Sequence, residues 1–193
     1  LAIITSLVML TGACNENQLN DGDQQNDYLK LTLQPDNEKQ IIHNFGASDA
    51  WSCQFVGKNW PLEKRQHIAD LLFSTAMDES GQPRGIGLSA WRFNIGGGSA
   101  EQGSESNIGD PWRRAECFLN ADGTYDWQAQ AGQRWFLRAA QERGVDQFIG
   151  FVNSPPVSLT ENGKAYSSGG NSANLPESNY SQYAGFLAQV VQG

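Results

Sequence analysis

Apolar and polar residues first alternate at residues 28–33, where Leu29, Leu31 and Leu33 are spaced as on a half-buried strand and Pro35, Asp36 and Asn37 supply a turn. The run 40–46 (QIIHNFG) predicts another short strand that either pairs with the first or opens the next layer. The period then changes. Asn59 and Pro61 precede LEKRQHIADLLFSTAM (62–77), in which Leu62, Ala69, Leu72, Phe73 and Ala76 fall along one face of a helix. Residues 85–95 (GIGLSAWRFNI) predict a strand that runs into Gly96, Gly97, Gly98 and Ser99. A second helix is expected from about 127 to 143, with Asp126 as N-cap and Gly144 as C-cap. A third strand follows at 145–152 (VDQFIGFV), and a last helix over about 179–192 is expected to bury Tyr183, Phe186, Leu187, Val190 and Val191.

Strands alternating with helices predict an α/β fold with a parallel sheet. The segments after strands are long (51–60, 96–126 and 153–178), whereas those after helices are short (77–84, and Gly144 alone). Elaboration at one end of the sheet is the pattern of a (β/α)8 barrel whose strand C-termini build the active site. A doubly wound sheet would more often carry a phosphate-binding glycine loop that opens a helix, and Gly96-Gly97-Gly98 has neither that spacing nor that position.

The N-terminus has a different character. Residues 1–13 (LAIITSLVMLTGA) carry no charge and are too short to span a bilayer, which takes about 20 apolar residues. They read as the apolar part of a secretory signal whose beginning is missing, the other reading being a buried N-terminal strand or helix. Thr11, Gly12 and Ala13 before Cys14 resemble a lipobox, with Leu10 one place early, so Cys14 is the expected lipidation site. Residues 15–27 contain four acids and no base, as a flexible tether would. The expected layout is a signal segment at 1–14, a tether at 15–27 and a folded part at 28–193. A secreted or periplasmic protein, lipid-anchored to a bacterial outer membrane, is the matching localisation.

Thirteen Lys and Arg against 21 Asp and Glu leave a net charge of 8 negative, and four of those charges belong to 15–27. With no basic stripe, nucleic acid is not an expected partner. Three cysteines without a CxxC or Cys/His cluster predict neither a disulfide scaffold nor a metal centre, and nothing calls for a cofactor. His67 stands alone on its helix and reads as a surface or satisfied histidine. Cys53 and Cys117 are open to two readings, a disulfide or separate buried thiols.

Chemistry gathers at the strand ends: Asp49 and Trp51 after the first, Arg92 and Asn94 at the second, Asn153 and Ser154 after the third. Sugars present hydroxyls that pair with Asp, Asn and Arg, and C–H faces that pack on Trp, so the mixture suits a carbohydrate cleft. Taken singly, each aromatic reads equally as core and each Arg as a structural ion pair.

The blocks IIHNFGASDAW (41–51), GIGLSAWRFNIGGGS (85–99), DPWRRAECFLNADGTYDW (110–127) and FVNSPPVSLTENG (151–163) resemble, in this order, the N-terminal part of glycoside hydrolase family 30. They are most similar to its bacterial endo-β-1,6-galactanase-like branch. The resemblance implies about three βα units of a TIM (β/α)8 barrel with a side β-sandwich, to which the strand near 28–35 would contribute. It implies retaining hydrolysis of β-linked glycosides by two Glu, one after the fourth strand and one after the seventh. Retention needs carboxyls about 5–5.5 Å apart. Glu101, Glu105 and Glu161 are off those positions, so no catalytic residue is expected within this chain. An eight-unit barrel takes about 250 residues, so the chain is expected to be a fragment, inactive by itself. Carried over by the resemblance as substrate-binding residues are Asp49, Trp51, Arg92, Asn94, Ser99, Asn153 and Ser154. Arg92 matches the residue that keeps the nucleophile ionised. Ser158 stands where relatives typically have Trp, which would reshape a sugar subsite. A non-catalytic glycan-binding lipoprotein is the alternative.

Overall fold

The computed structural model describes residues 30, 32, 34–169 and 173–193. The signal segment with Cys14, the tether, and most of the strand expected at 28–33 lie outside them. The chain divides into two units at Gln40 and Ile41. In the first, residues 34–37 form the expected turn, closed by the Asn37 N–H donating to the Gln34 carbonyl at 3.0 Å.

The second unit, Ile41–Gly193, is a mixed α/β arrangement. Its strands β1 (Gly46–Ser48), β2 (Ala90–Ile95) and β3 (Gln147–Val152) form one parallel sheet in the order β1-β2-β3, with Gly46 opposite Ala90 and Ala90 opposite Gln147. The helices are α1 (Ser52–Asn59), α2 (Leu62–Phe73), α3 (Ala131–Glu142) and α4 (Tyr180–Gln192). Trp91 and Phe93 of β2 point to the helical side. Trp91 packs with Phe73 of α2 and Phe136 of α3 in one core cluster, while Phe93 and Ile95 join Phe118 and Phe186 of α4 in another. Such alternation follows from the period of two along a strand.

Several expectations are corrected. The run 40–46 does not form a strand until Gly46, and Ile41 is 82% exposed. Phe45 nevertheless continues the pairing, its carbonyl accepting from the Ser89 and Ala90 N–H groups. The strand expected from 85 begins at Ala90, and Ala76 lies beyond α2 and is exposed. Asp126 does not cap α3: its carboxylate accepts the Gln128 N–H in a turn, and the helix starts at Ala131. Gly144 does terminate α3, at φ 90°, with the Gly144 and Val145 N–H groups returning to the carbonyls of Gln141 and Ala140 in a Schellman arrangement. On α4, Phe186 is buried but Val191 is 85% exposed.

The largest correction is α1, which occupies a segment expected to be loop. SCQFVGKN offers only Cys53 and Val56 to the apolar core, and its further support comes from α3. Gly57 and Gly132 let the two helices meet at their backbones: a Cβ on Gly132 would lie 1.9 Å from the Gln54 carbonyl oxygen. At that crossing Gln54 is buried and its Oε1 accepts the Gly132 and Gln133 N–H groups at 3.0 and 3.3 Å, satisfying two donors that the first turn of α3 leaves unpaired. Among the described residues no helix is long and apolar enough to cross a membrane.

Candidate functional site

The glycine run after β2 brings the chain ends of the sheet together. A Cβ on Gly97 would stand 2.6 Å from the Pro155 carbonyl oxygen, and Gly98 has φ 101°, so the loop after β2 lies directly against the loop after β3. The Val157 N–H donates to the Gly97 carbonyl at 2.7 Å, and the Gln102 amide donates to the Gly163 carbonyl at 2.7 Å. Asn107 Nδ2 donates to the Tyr166 hydroxyl at 3.2 Å. Lys164 Nζ donates to the Glu105 carbonyl. These long loops are therefore one cross-braced body.

Between them and Trp51 lies a cleft of about 460 Å³. Trp51, Asn94, Ser99, Asn153 and Ser154 all line it, five of the seven residues proposed from sequence. They are not equally free. The Ser99 oxygen accepts the Ala115 N–H at 2.9 Å, which makes it a loop brace, and the Ser154 hydroxyl donates to the Pro155 carbonyl. Asn94 is 1% exposed, and neither its Nδ2 nor its Oδ1 has a hydrogen-bond partner among the described residues. A buried amide so placed is unsatisfied until something in the cleft pairs with it.

Asp49 and Arg92 do not line this cleft. Asp49 is 1% exposed beneath it, its Oδ1 accepting the Asn94 backbone N–H at 2.9 Å. Loss of solvation pushes its carboxyl up to about 7, against the opposing pull of that hydrogen bond and of the Arg92 charge. Through Oδ1, Asp49 thus holds the strand that carries Asn94. Arg92, on the sheet face opposite the helices, is braced by both neighbouring strands: its Nε donates to Ser48 Oγ at 2.9 Å and its guanidinium lies 4.0 Å from the Phe151 ring centroid. It borders a wide groove with Ser48 and Ile149.

Four cleft residues with polar side chains are not among those expected from sequence: Asn107, Asp110, Arg113 and Tyr166. Asp110 and Arg113 lie in the block DPWRR, whose mixture of acid, aromatic and base matches that of the strand ends and was a usable signal. Tyr166, in a Gly/Ser-rich stretch, offered none. The Arg113 guanidinium lies 5.0 Å from the Trp51 ring, so part of that ring is already covered. Asp110 is the one carboxylate lining the cleft among the described residues. Glu101 lies off it, its Oε1 accepting the Cys117 N–H at 2.8 Å and its acidity weakened by burial. Cys53 and Cys117 are separate free thiols, not a disulfide, and burial raises them to about 12 and about 11. No group of three or more His, Cys, Asp or Glu able to hold a metal occurs among the described residues.

The profile of O-Glycosyl hydrolase family 30 matches residues 28–193. The Endo-beta-1,6-galactanase of Hypocrea rufa is 28% identical over 177 residues, which are 84% of this chain and 35% of that protein. A conserved exported protein from Bacteroides fragilis superposes with a TM-score of 0.77 at 45% identity, covering 82% of this chain and 32% of that one. The catalytic domain of GH30 xylanase C from Talaromyces cellulolyticus superposes with a TM-score of 0.51 at 25% identity, covering 82% and 34%. The chain thus spans about a third of the length of these relatives. Because the profile takes in everything from Tyr28 onward, the chain belongs to glycoside hydrolase family 30.

Proposed function

We propose that this chain forms the first three βα units of a (β/α)8 barrel that hydrolyses a β-linked glycan with retention, β-1,6-galactan or a related polymer. The observation that carries the reading is the cleft at the C-terminal ends of parallel strands, where Trp51, the unpartnered Asn94 amide, Asn153 and Tyr166 converge. Its aromatic surface and hydrogen-bonding groups are the complement of a sugar.

The chemistry needs one carboxyl that gives a proton to the leaving oxygen and one that attacks the anomeric carbon, about 5–5.5 Å apart. The cleft offers Asp110 alone, so the acid/base and nucleophile belong to sequence C-terminal of residue 193 on this reading. Arg92 then faces the barrel interior and holds the nucleophile ionised, since a nearby guanidinium favours the charged carboxylate. Residues 1–193 alone do not turn over a glycan on this reading. Cys14 carries the lipid that places the enzyme at a bacterial outer membrane.

The test is to assay the full-length protein on β-1,6-galactan, β-1,6-glucan, xylan and aryl β-glycosides, with the product anomer followed by NMR. Release of a β-anomer from one of them is expected. Tight glycan binding without hydrolysis would replace this reading by that of a non-catalytic glycan-binding lipoprotein, which the single cleft carboxylate also fits.

A further inference from the structure

Trp51, immediately before α1, and Phe55 and Lys58 within it are spaced by four and three residues, which aligns them along one side of the helix. Residues 112–116 meet all three. Trp112 stacks on Phe55 with centroids 4.6 Å apart and planes at 22°, Arg113 lies over Trp51, and Glu116 pairs with Lys58 at 3.0 Å. The segment also carries contacts of its own. Asp110 Oδ1 accepts the Trp112 N–H at 2.9 Å, Pro111–Arg113 form a 3₁₀ turn, and Arg114 Nε donates to the Ile108 carbonyl at 2.9 Å.

Trp112 and Arg113 are adjacent in the chain yet do different things. Trp112 does not line the cleft, whereas Arg113 does. Among the described residues the Arg113 guanidinium has neither an ion-pair partner nor a hydrogen-bond acceptor, and it lies over the face of Trp51. Five N–H donors are therefore available at the rim of a cleft whose floor holds the unpartnered Asn94 amide.

We propose that residues 110–116 form a strap across α1 in which Trp112 is a positioning residue and Arg113 a specificity-determining one, hydrogen-bonding the hydroxyls of a sugar unit packed on Trp51. This deepens the glycan reading above and rests on it. The Phe55–Trp112 stack fixes the 3₁₀ turn, and the turn fixes where the Arg113 donors stand relative to the indole. Without the stack, the donors lose their register with the sugar although every cleft residue is still present.

The test uses the full-length protein. Trp112→Ala is expected to raise KM on the preferred glycan roughly three- to tenfold, the range of an aromatic pair, with kcat kept within about twofold because no reacting group is touched. Trp112→Phe, which keeps the stack, is expected to restore KM, and Arg113→Gln to raise KM with Trp112 intact. Hydrogen exchange of the amides at 107–115, which needs no substrate, is expected to quicken in Trp112→Ala alone. Quickened exchange with KM unchanged would overturn the strap's role and leave the glycosidase reading standing. A wild-type protein that turns over no glycan would overturn both.

Discussion

The two faces of the sheet use β2 in opposite ways. On the helical face Trp91 and Phe93 are held by shape, with Trp91 set edge-on to Phe73 at 4.9 Å and backed by Phe136. On the other face Arg92 is held by Ser48 Oγ and the Phe151 ring, and the Asp49 carboxyl accepts the Asn94 backbone N–H while the Asn94 amide has no partner among the described residues. Apolar packing fixes the first face; the second leaves the buried Asn94 amide unspent. Stability and ligand chemistry are therefore separable within one strand, residue by residue.

The sharpest way to break that division is Trp91→Ala. It removes a nearly fully buried indole from the middle of a three-ring cluster and is expected to cost about 3–5 kcal/mol. Chemical denaturation would measure it. A cost under about 1 kcal/mol would mean that the helical face is not where stability resides.

Asp49 lies between the faces and makes the second prediction. Its folded carboxyl keeps the proton up to about pH 7, whereas the unfolded chain releases it near 3.8. Between these values the folded state binds more protons, so stability falls as pH rises through the window. The contribution is fully present below about pH 4 and lost above about pH 7. Denaturation at pH 5 and pH 8 should differ by about 2–4 kcal/mol. Asp49→Asn, which keeps the acceptor for the Asn94 N–H, should flatten that difference; an unchanged slope would place the titration elsewhere.

The helix crossing yields smaller steps. Gly132→Ala drives a Cβ against the Gln54 carbonyl and is expected to cost about 2 kcal/mol. Gln54→Ala removes the acceptor of two α3 N–H groups and is expected to cost about 1 kcal/mol. Thermal melts of both variants check the order. A larger loss from Gln54→Ala would make the cap, not the close approach, the tie between α1 and α3.

What was legible in the sequence follows from the range of the forces involved. Elements β2, β3, α2, α3 and α4 announce themselves because period and termination are local: Ala69 and Phe73 share a helical face, and Gly144 ends α3 within its own last turn. Helix α1 was not legible, since its stabilising partners, Gly132 and the first N–H groups of α3, lie about 75 residues away. The apolar run at Ile41 and Ile42 misled for the converse reason: composition promised burial, and no neighbouring element among the described residues supplies it. In the site, Trp51, Asn94 and Asn153 were found because strand ends converge whatever their loops do. Asp49 and Arg92 share that address, but Asp49 is buried against the Asn94 backbone, and Arg92, on the same face as Asn94 but two residues earlier in the strand, is braced between Ser48 and Phe151 off the cleft. Arg113 reaches Trp51 only through the fold of a long loop, beyond any local pattern.

Ser48→Ala is the mildest test and the most discriminating. It deletes two hydrogen bonds, from Arg92 Nε and from the Ala50 N–H, at a site exposed in this chain where water can replace the lost oxygen, and it leaves the guanidinium against Phe151. Its stability cost should therefore stay near about 0.5 kcal/mol, below that of every change on the helical side. If Arg92 keeps a catalytic carboxylate ionised, a loosened guanidinium favours that charge less and the carboxylate pKa rises. The acid limb of the full-length enzyme's pH–rate profile then moves to higher pH while the melting curve barely shifts. Ser48→Thr keeps the oxygen and should return the limb to its original place. A melting curve that falls as far as that of Gln54→Ala, with the acid limb unmoved, would make the polar bracing of Arg92 a structural contact and erase the difference between the two faces.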